Sequence, residues 1–168
     1  MSNKEVFKKK RVYIGYLLVI LWMGVIFYFS SRSGDVSAYQ SNEFNEILKN
    51  SVPEVYSVVD NMVKVGFKIF SIRKLAHMFL YMMLTILLYI PTKGVFEKYK
   101  QSLIMTIGVS ISYAILDEIH QLFVPGRSGQ IQDVMIDLIG IIVGIMMIML
   151  FYKLRNILRK DNECPGKL

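Results

Sequence analysis

The sequence predicts an all-α fold, a multi-pass membrane bundle of four transmembrane helices with short amphipathic helices in the first outer loop. Three observations predict it. Of the 168 residues, 54% are hydrophobic and the mean hydropathy is positive, more apolar material than a soluble core of this length can bury. Only 20% are charged, against about a quarter in soluble domains, and the charges fall in clumps between long uncharged runs. The surplus of 20 Lys and Arg over 13 Asp and Glu sits at the ends of those runs, as the positive-inside rule requires. That placement argues for a lipid bilayer and against nucleic acid as partner. Residues 1–168 read as one membrane domain. The lone cysteine, Cys164, excludes an intrachain disulfide and a cysteine zinc cluster, and it stands one position too early for prenylation.

The first span is expected over residues 12–31, where the run between Arg11 and Arg32 carries no charge. About 20 apolar residues at 1.5 Å each cross the hydrocarbon layer. The run is longer than a signal-peptide core and is followed by no small-residue cleavage motif, so it is expected to stay as an anchor. The second span covers 75–92, between Lys74 and Lys93, interrupted by His77. The third covers 101–124 and must contain Asp117, Glu118 and His120 to be long enough. The fourth covers 133–152, with Asp137 inside it. The N-terminal segment carries five Lys and Arg against Glu5, residues 93–100 carry three against Glu97, and the tail after Tyr152 carries five against two acids. The segments 31–74 and 117–133 together hold seven basic and eight acidic residues. Both termini and the 93–100 loop are therefore expected on the cytoplasmic side, with the long first loop and the 125–129 turn outside.

Within that outer loop, Ser37-Ala38-Tyr39-Gln40 and Ser51-Val52-Pro53-Glu54 each read as a capping box, the second with Pro in the first turn. Two short helices are expected to start there. In the second, Val55, Val58, Val59, Met62, Val63, Phe67 and Phe70 share one face, and Asp60, Lys64 and Lys68 the other. That face should lie on the membrane surface or pack on the bundle.

The polar groups inside the apolar runs carry the functional information. On the third span, Asp117, His120, Gln121 and Val124 fall on one face with Tyr113 a turn below, and Glu118 points about 100° away. Val124-Pro125-Gly126-Arg127 reads as a tight turn, with Pro second and Gly third, so the flanking helices are antiparallel neighbours. On the fourth span Asp133, Asp137, Gly140 and Gly144 form one stripe, the glycines making a GxxxG contact motif. Counting down from the turn places Asp117 and Asp137 at matching depth, roughly 10 Å below its top. Lys74, His77 and Tyr81 share a face at the outer end of the second span, with Arg73 at the rim. An Asp near a helix centre disfavours insertion by roughly 2.5–3.5 kcal/mol, so these groups must face one another, water or a cation. His77 and His120 are candidate metal ligands with Asp133, Asp137 or Glu118, but no recognised metal spacing is present, and cofactor and metal stay unknown. Ser30 and Ser31 read as helix-end caps. A closed polar network that only fixes helix register is the competing reading.

Arg73-Lys74-Leu75-Ala76-His77-Met78-Phe79-Leu80-Tyr81, Asp117-Glu118-Ile119-His120-Gln121-Leu122-Phe123-Val124-Pro125-Gly126-Arg127, and Asp133-Val134 with Asp137, Gly140 and Gly144 together resemble the VanZ-like family of bacterial membrane proteins. The resemblance runs from about Trp22, through Phe29-Ser30-Ser31, to Gly144. It implies a multi-pass plasma-membrane protein of Gram-positive-type bacteria and, for the founding member, an association with low-level resistance to the glycopeptide teicoplanin. It supplies no settled reaction. Three functional classes fit these residues. In the first, the protein binds or acts on a lipid-linked or cell-wall intermediate at the outer leaflet. Arg73, Lys74 and Arg127 hold a phosphate there, Asp117, Glu118, His120 and His77 handle protons, and Tyr81, Gln121, Asp133 and Asp137 complete the binding walls. The second is a non-catalytic structural or partner-docking protein. The third is a small proton-coupled transporter, which with four spans would need to be a homo-oligomer, through the GxxxG face or another surface. Whether the protein is an enzyme stays open.

Overall fold

The computed structural model describes residues 3–64, 72–96, 98–127 and 130–163. These form six helices: α1 Asn3–Ser30, α2 Gly34–Ser51, α3 Pro53–Lys64, α4 Ile72–Val95, α5 Tyr99–Gln121 and α6 Ile131–Glu163. Four of them, α1, α4, α5 and α6, are long and apolar enough to cross a membrane. Each expected span falls on one of these helices, and the helix ends differ from the expected ones for physical reasons. Helix α5 stops at Gln121 rather than 124, because Pro125 disfavours helix in the residue before it. The chain instead tightens through Leu122, Phe123 and Val124, whose N–H groups donate three residues back to Ile119, His120 and Gln121. Helix α6 continues well past Tyr152, and its 33 residues extend about 50 Å. The basic residues after Tyr152 end the apolar run and leave the helix intact.

Helix α4 is the hub. It packs most extensively on α6 and then on α1 and α5, and the core is built around its Tyr81, Leu84 and Leu88 with Val19, Ile26, Ala114 and Ile141. The GxxxG motif makes the α4–α6 contact. A Cβ on Gly140 would stand 2.2 Å from the Met78 carbonyl oxygen, and one on Gly144 would stand 2.9 Å from that of Met82. That face is thus filled within the chain, as a close helix–helix contact. Helix α5 offers α4 a stripe of small and hydroxyl residues, Ser102, Thr106, Ser110 and Ala114, all buried. Thr85 Oγ1 donates to the Tyr81 carbonyl at 2.8 Å and lies 3.4 Å from Ser110 Oγ. Helix α1 is tied to the bundle by Trp22 Nε1 donating to the Leu80 carbonyl at 3.0 Å and by Tyr113 Oη donating to the Met23 carbonyl at 2.7 Å.

The ends of α1 and α5 and the starts of α2, α4 and α6 gather at one end of the bundle, termed here the polar end. There the Val124-Pro125-Gly126-Arg127 turn forms as expected. Arg127 N–H donates to the Val124 carbonyl at 3.1 Å, and Gly126 takes a left-handed φ of 73°. This turn abuts the start of α2: Gly34 N–H donates to the Pro125 carbonyl at 3.2 Å. A Cβ on Gly34 would lie 2.0 Å from the Gly126 carbonyl oxygen, so only glycine fits.

The two helices expected between the first and second spans exist, with corrected starts. Helix α2 begins at Gly34, three residues before the capping box read at Ser37, because the hydrogen bond to Pro125 fixes Gly34 and Asp35 supplies the acidic first turn. Ser37 lies buried inside α2. Pro53 opens α3 as expected, but Ser51 belongs to α2 and Val52 is the joint, its carbonyl accepting from Tyr56 N–H at 3.1 Å. Helix α3 packs on α2, with Val55 and Val58 exposed. The apolar face therefore does not seat on the transmembrane bundle at those positions. Phe67, Lys68 and Phe70 lie outside the described residues.

Candidate functional site

Burial selects which polar residues form a site. Asp117, Glu118, Gln121 and Asp137 are buried at the polar end, and so is Ser30. Helix spacing explains the convergence. His77 and Tyr81 are one turn apart on α4, Asp117 and Gln121 one turn apart on α5, and Asp133 and Asp137 one turn apart on α6. One ligand atom from each of His77, Asp117 and Asp137 lies within 4.8 Å of the other two. His77 Nδ1 stands 3.7 Å from Asp137 Oδ1, beyond hydrogen-bonding distance. Tyr81, wholly buried, adjoins Asp117. Asp117 is held through one oxygen only: its Oδ2 accepts from Ser30 Oγ at 2.7 Å and from Gln121 Nε2 at 3.3 Å. Its Oδ1 is buried with no hydrogen-bond partner.

Above this cluster, Lys74 Nζ pairs with Asp133 Oδ1 at 3.1 Å. A small cleft there is lined by Arg73, Lys74, His77, Gln121, Asp133 and Ile136. On the other side of α4 lies a larger groove of about 350 Å³. Arg73, Arg127, His77 and Ser37 line its polar part, and Phe29, Phe44, Phe79 and Leu80 its apolar part. Arg127 Nη2 donates to the Phe29 carbonyl at 3.2 Å and to Ser37 Oγ at 3.3 Å, while its Nε and Nη1 are buried without partners. Burial, and after it the nearby charge of Arg73, pull the Arg127 guanidinium below its usual pKa. An arginine does not lose its proton under such pressure, and the carboxylates of Asp117, Asp133 and Glu118 act against the shift.

The remaining expected site residues stand apart. His120 stacks on Phe27 of α1, with ring centroids 4.5 Å apart, and its Nε2 is 3.1 Å from Ser31 Oγ. It does not join His77, Asp117 and Asp137. Glu118 accepts the Gln130 N–H through Oε1, which ties α5 to the start of α6. Lys74 faces Asp133 rather than the groove that Arg73 and Arg127 share. Reading the sequence missed Ser30 as the donor that fixes Asp117, Ser37 as a support for Arg127, and Gly34 as the contact that brings α2 onto the turn. The available signal for the first was a buried-side hydroxyl at the end of an apolar run, facing a span that contains an acid.

Fold and site together define a four-span membrane protein whose ionisable groups from three helices meet at one end of the bundle. Residues 15–152 match the VanZ/LLP1 family, and the chain belongs to it. Neither a curated protein nor a solved structure matches the chain.

Proposed function

We propose that this VanZ-like protein binds a phosphate-bearing envelope lipid, such as a lipid-linked cell-wall intermediate, at the outer leaflet of the bacterial plasma membrane. The observation that carries this reading is the groove between α1, α2 and α4. Its polar part holds Arg73 and Arg127, the latter with two buried nitrogens free to donate, and its other wall is aromatic and aliphatic. A guanidinium fork matches phosphate oxygens, and the volume lies within the usual range of ligand sites, about 300–1,000 Å³. Arg73 and Lys74 also stand in the first turn of α4, which contains no acid, where the helix dipole adds to their positive field. His77, Asp117 and Tyr81 line or adjoin this region and are the groups available for proton handling. A contribution to teicoplanin-type resistance would follow from altering an envelope lipid at the surface the antibiotic reaches.

The test is copurification in mild detergent followed by lipid mass spectrometry. Wild-type protein should carry a phosphate-headed lipid at near one per chain, and Arg127→Gln should lose it while keeping normal membrane abundance. The same lipid profile in both would overturn the reading. Identification of the head group separates a phospholipid from an isoprenoid-linked precursor. Sidedness has its own check in a Cys164→Ser background. Tyr39→Cys should react with an impermeant thiol reagent in intact cells and Lys98→Cys should not.

A structural reading is supported by one further observation: Ser30–Asp117, Lys74–Asp133 and Glu118–Gln130 each link a different pair of segments. Under that reading Asp117→Ala lowers membrane abundance and phenotype in parallel, whereas under the binding reading the phenotype disappears at normal abundance.

A further inference from the structure

We infer that His77, Asp117 and Asp137 form a binding site for a divalent transition-metal cation. The inference stands on geometry independent of the lipid groove. Three ligands of types common in such sites, one imidazole and two carboxylates, come from three different helices and place one atom each within 4.8 Å of the others. The 3.7 Å between His77 Nδ1 and Asp137 Oδ1 is close to the edge of about 3.3 Å between two ligands of a tetrahedral ion bound at roughly 2.0 Å. Asp137 is 1% exposed and Asp117 4%, so neither charge is relieved by water. Of the neighbouring cations, Lys74 is engaged by Asp133, and Arg127 hydrogen-bonds Phe29 and Ser37 while its charge also acts on Asp117.

The second observation is the way Asp117 is held. Both of its donors, Ser30 and Gln121, go to Oδ2, which leaves Oδ1 buried and unpartnered. Outer hydrogen bonds that orient one oxygen and present the other are how metal-ligating carboxylates are fixed. A divalent ion here would neutralise two buried carboxylates, and the mixture of imidazole and carboxylate suits zinc, manganese or iron(II) better than calcium. With three protein ligands, a fourth position stays open. His77 also lines the groove, so the ion would stand at the head of the proposed lipid site.

The experiment uses the detergent-solubilised full chain, equilibrated with Zn²⁺ or Mn²⁺, passed through gel filtration and analysed for metal. Wild type should retain close to one equivalent of one of these ions. His77→Gln and Asp137→Asn should each retain less than a tenth of that, and His120→Gln should retain the wild-type amount. Absence of stoichiometric metal in wild type, or equal uptake by folded Asp137→Asn, overturns the site. Should the variants fail to elute as folded protein, the Co²⁺ visible spectrum of wild type decides. Bands of a low-coordinate nitrogen and oxygen site support the inference, and the pale spectrum of the hydrated ion refutes it. Loss of lipid from Arg127→Gln with metal retained, or the converse, keeps the two proposals separable.

Discussion

Helices α4 and α6 run against each other along one seam, and its two halves are built on opposite principles. Toward the polar end the helices face each other through long ionisable side chains, Lys74 to Asp133 and His77 to Asp137. One turn deeper, Gly140 and Gly144 bring the backbones into contact with Met78 and Met82. The glycine half leaves no room for a side chain, and the ionisable half leaves room for little else. Close packing below fixes the spacing that the polar groups need above, since without hydrophobic driving force in lipid the helices associate through packing and polar contacts. An intramembrane charge is thereby confined to the place where the seam opens.

The largest expected effect comes from closing that contrast. Gly140→Val adds bulk against a backbone carbonyl that cannot move aside, and overpacking of this kind costs about 1–3 kcal/mol or more. The variant should be nearly absent from membranes and should melt far lower in detergent. Gly144→Ala should show the same defect in weaker form, because its Cβ would stand 2.9 Å from the Met82 carbonyl oxygen, against 2.2 Å between a Cβ at Gly140 and that of Met78. Next is the Ser30 hydroxyl. Ser30→Ala removes a buried hydrogen bond to a carboxylate, worth about 1.5–3 kcal/mol, and should lower the melting temperature while weakening any function that depends on Asp117. For Lys74 and Asp133, a double-mutant cycle with Lys74→Met and Asp133→Asn should give a coupling of roughly 1 kcal/mol, since both side chains are partly exposed. The smallest effect belongs to Gly24→Ala. No atom lies within 4 Å of the added Cβ, so abundance and melting should match wild type, and a defect there would show that glycine content rather than contact sets stability.

Much of this was legible in the residue order. Uncharged runs bounded by Lys and Arg located the four spans, Pro125-Gly126 located the turn between α5 and α6, and counting down from that turn placed Asp117 opposite Asp137. What the sequence could not supply was the rotation of α5 about its own axis. At 100° per residue, Gln121 lies about 40° to one side of Asp117 and His120 about 60° to the other. Only tertiary packing decides that the first side meets α4 and α6 while the second meets Phe27 and Ser31 of α1. The contacts of Ser30 with Asp117, 87 residues away, and of Gly34 with Gly126 leave no local periodicity to detect. The end of α6 was missed for a simpler reason: hydropathy marks where a span leaves the apolar run, and a helix is free to continue past it.

The central claim is that α4, α5 and α6 bring His77, Asp117 and Asp137 to one point. It is tested most directly in native membranes, by short-range bifunctional thiol cross-linking of a Cys164→Ser protein carrying His77→Cys and Asp137→Cys. The account predicts a rapid intramolecular cross-link for this pair and none for His77→Cys with Ile142→Cys, whose α6 position faces outward. Equal reactivity of the two pairs, or none in either, would contradict it.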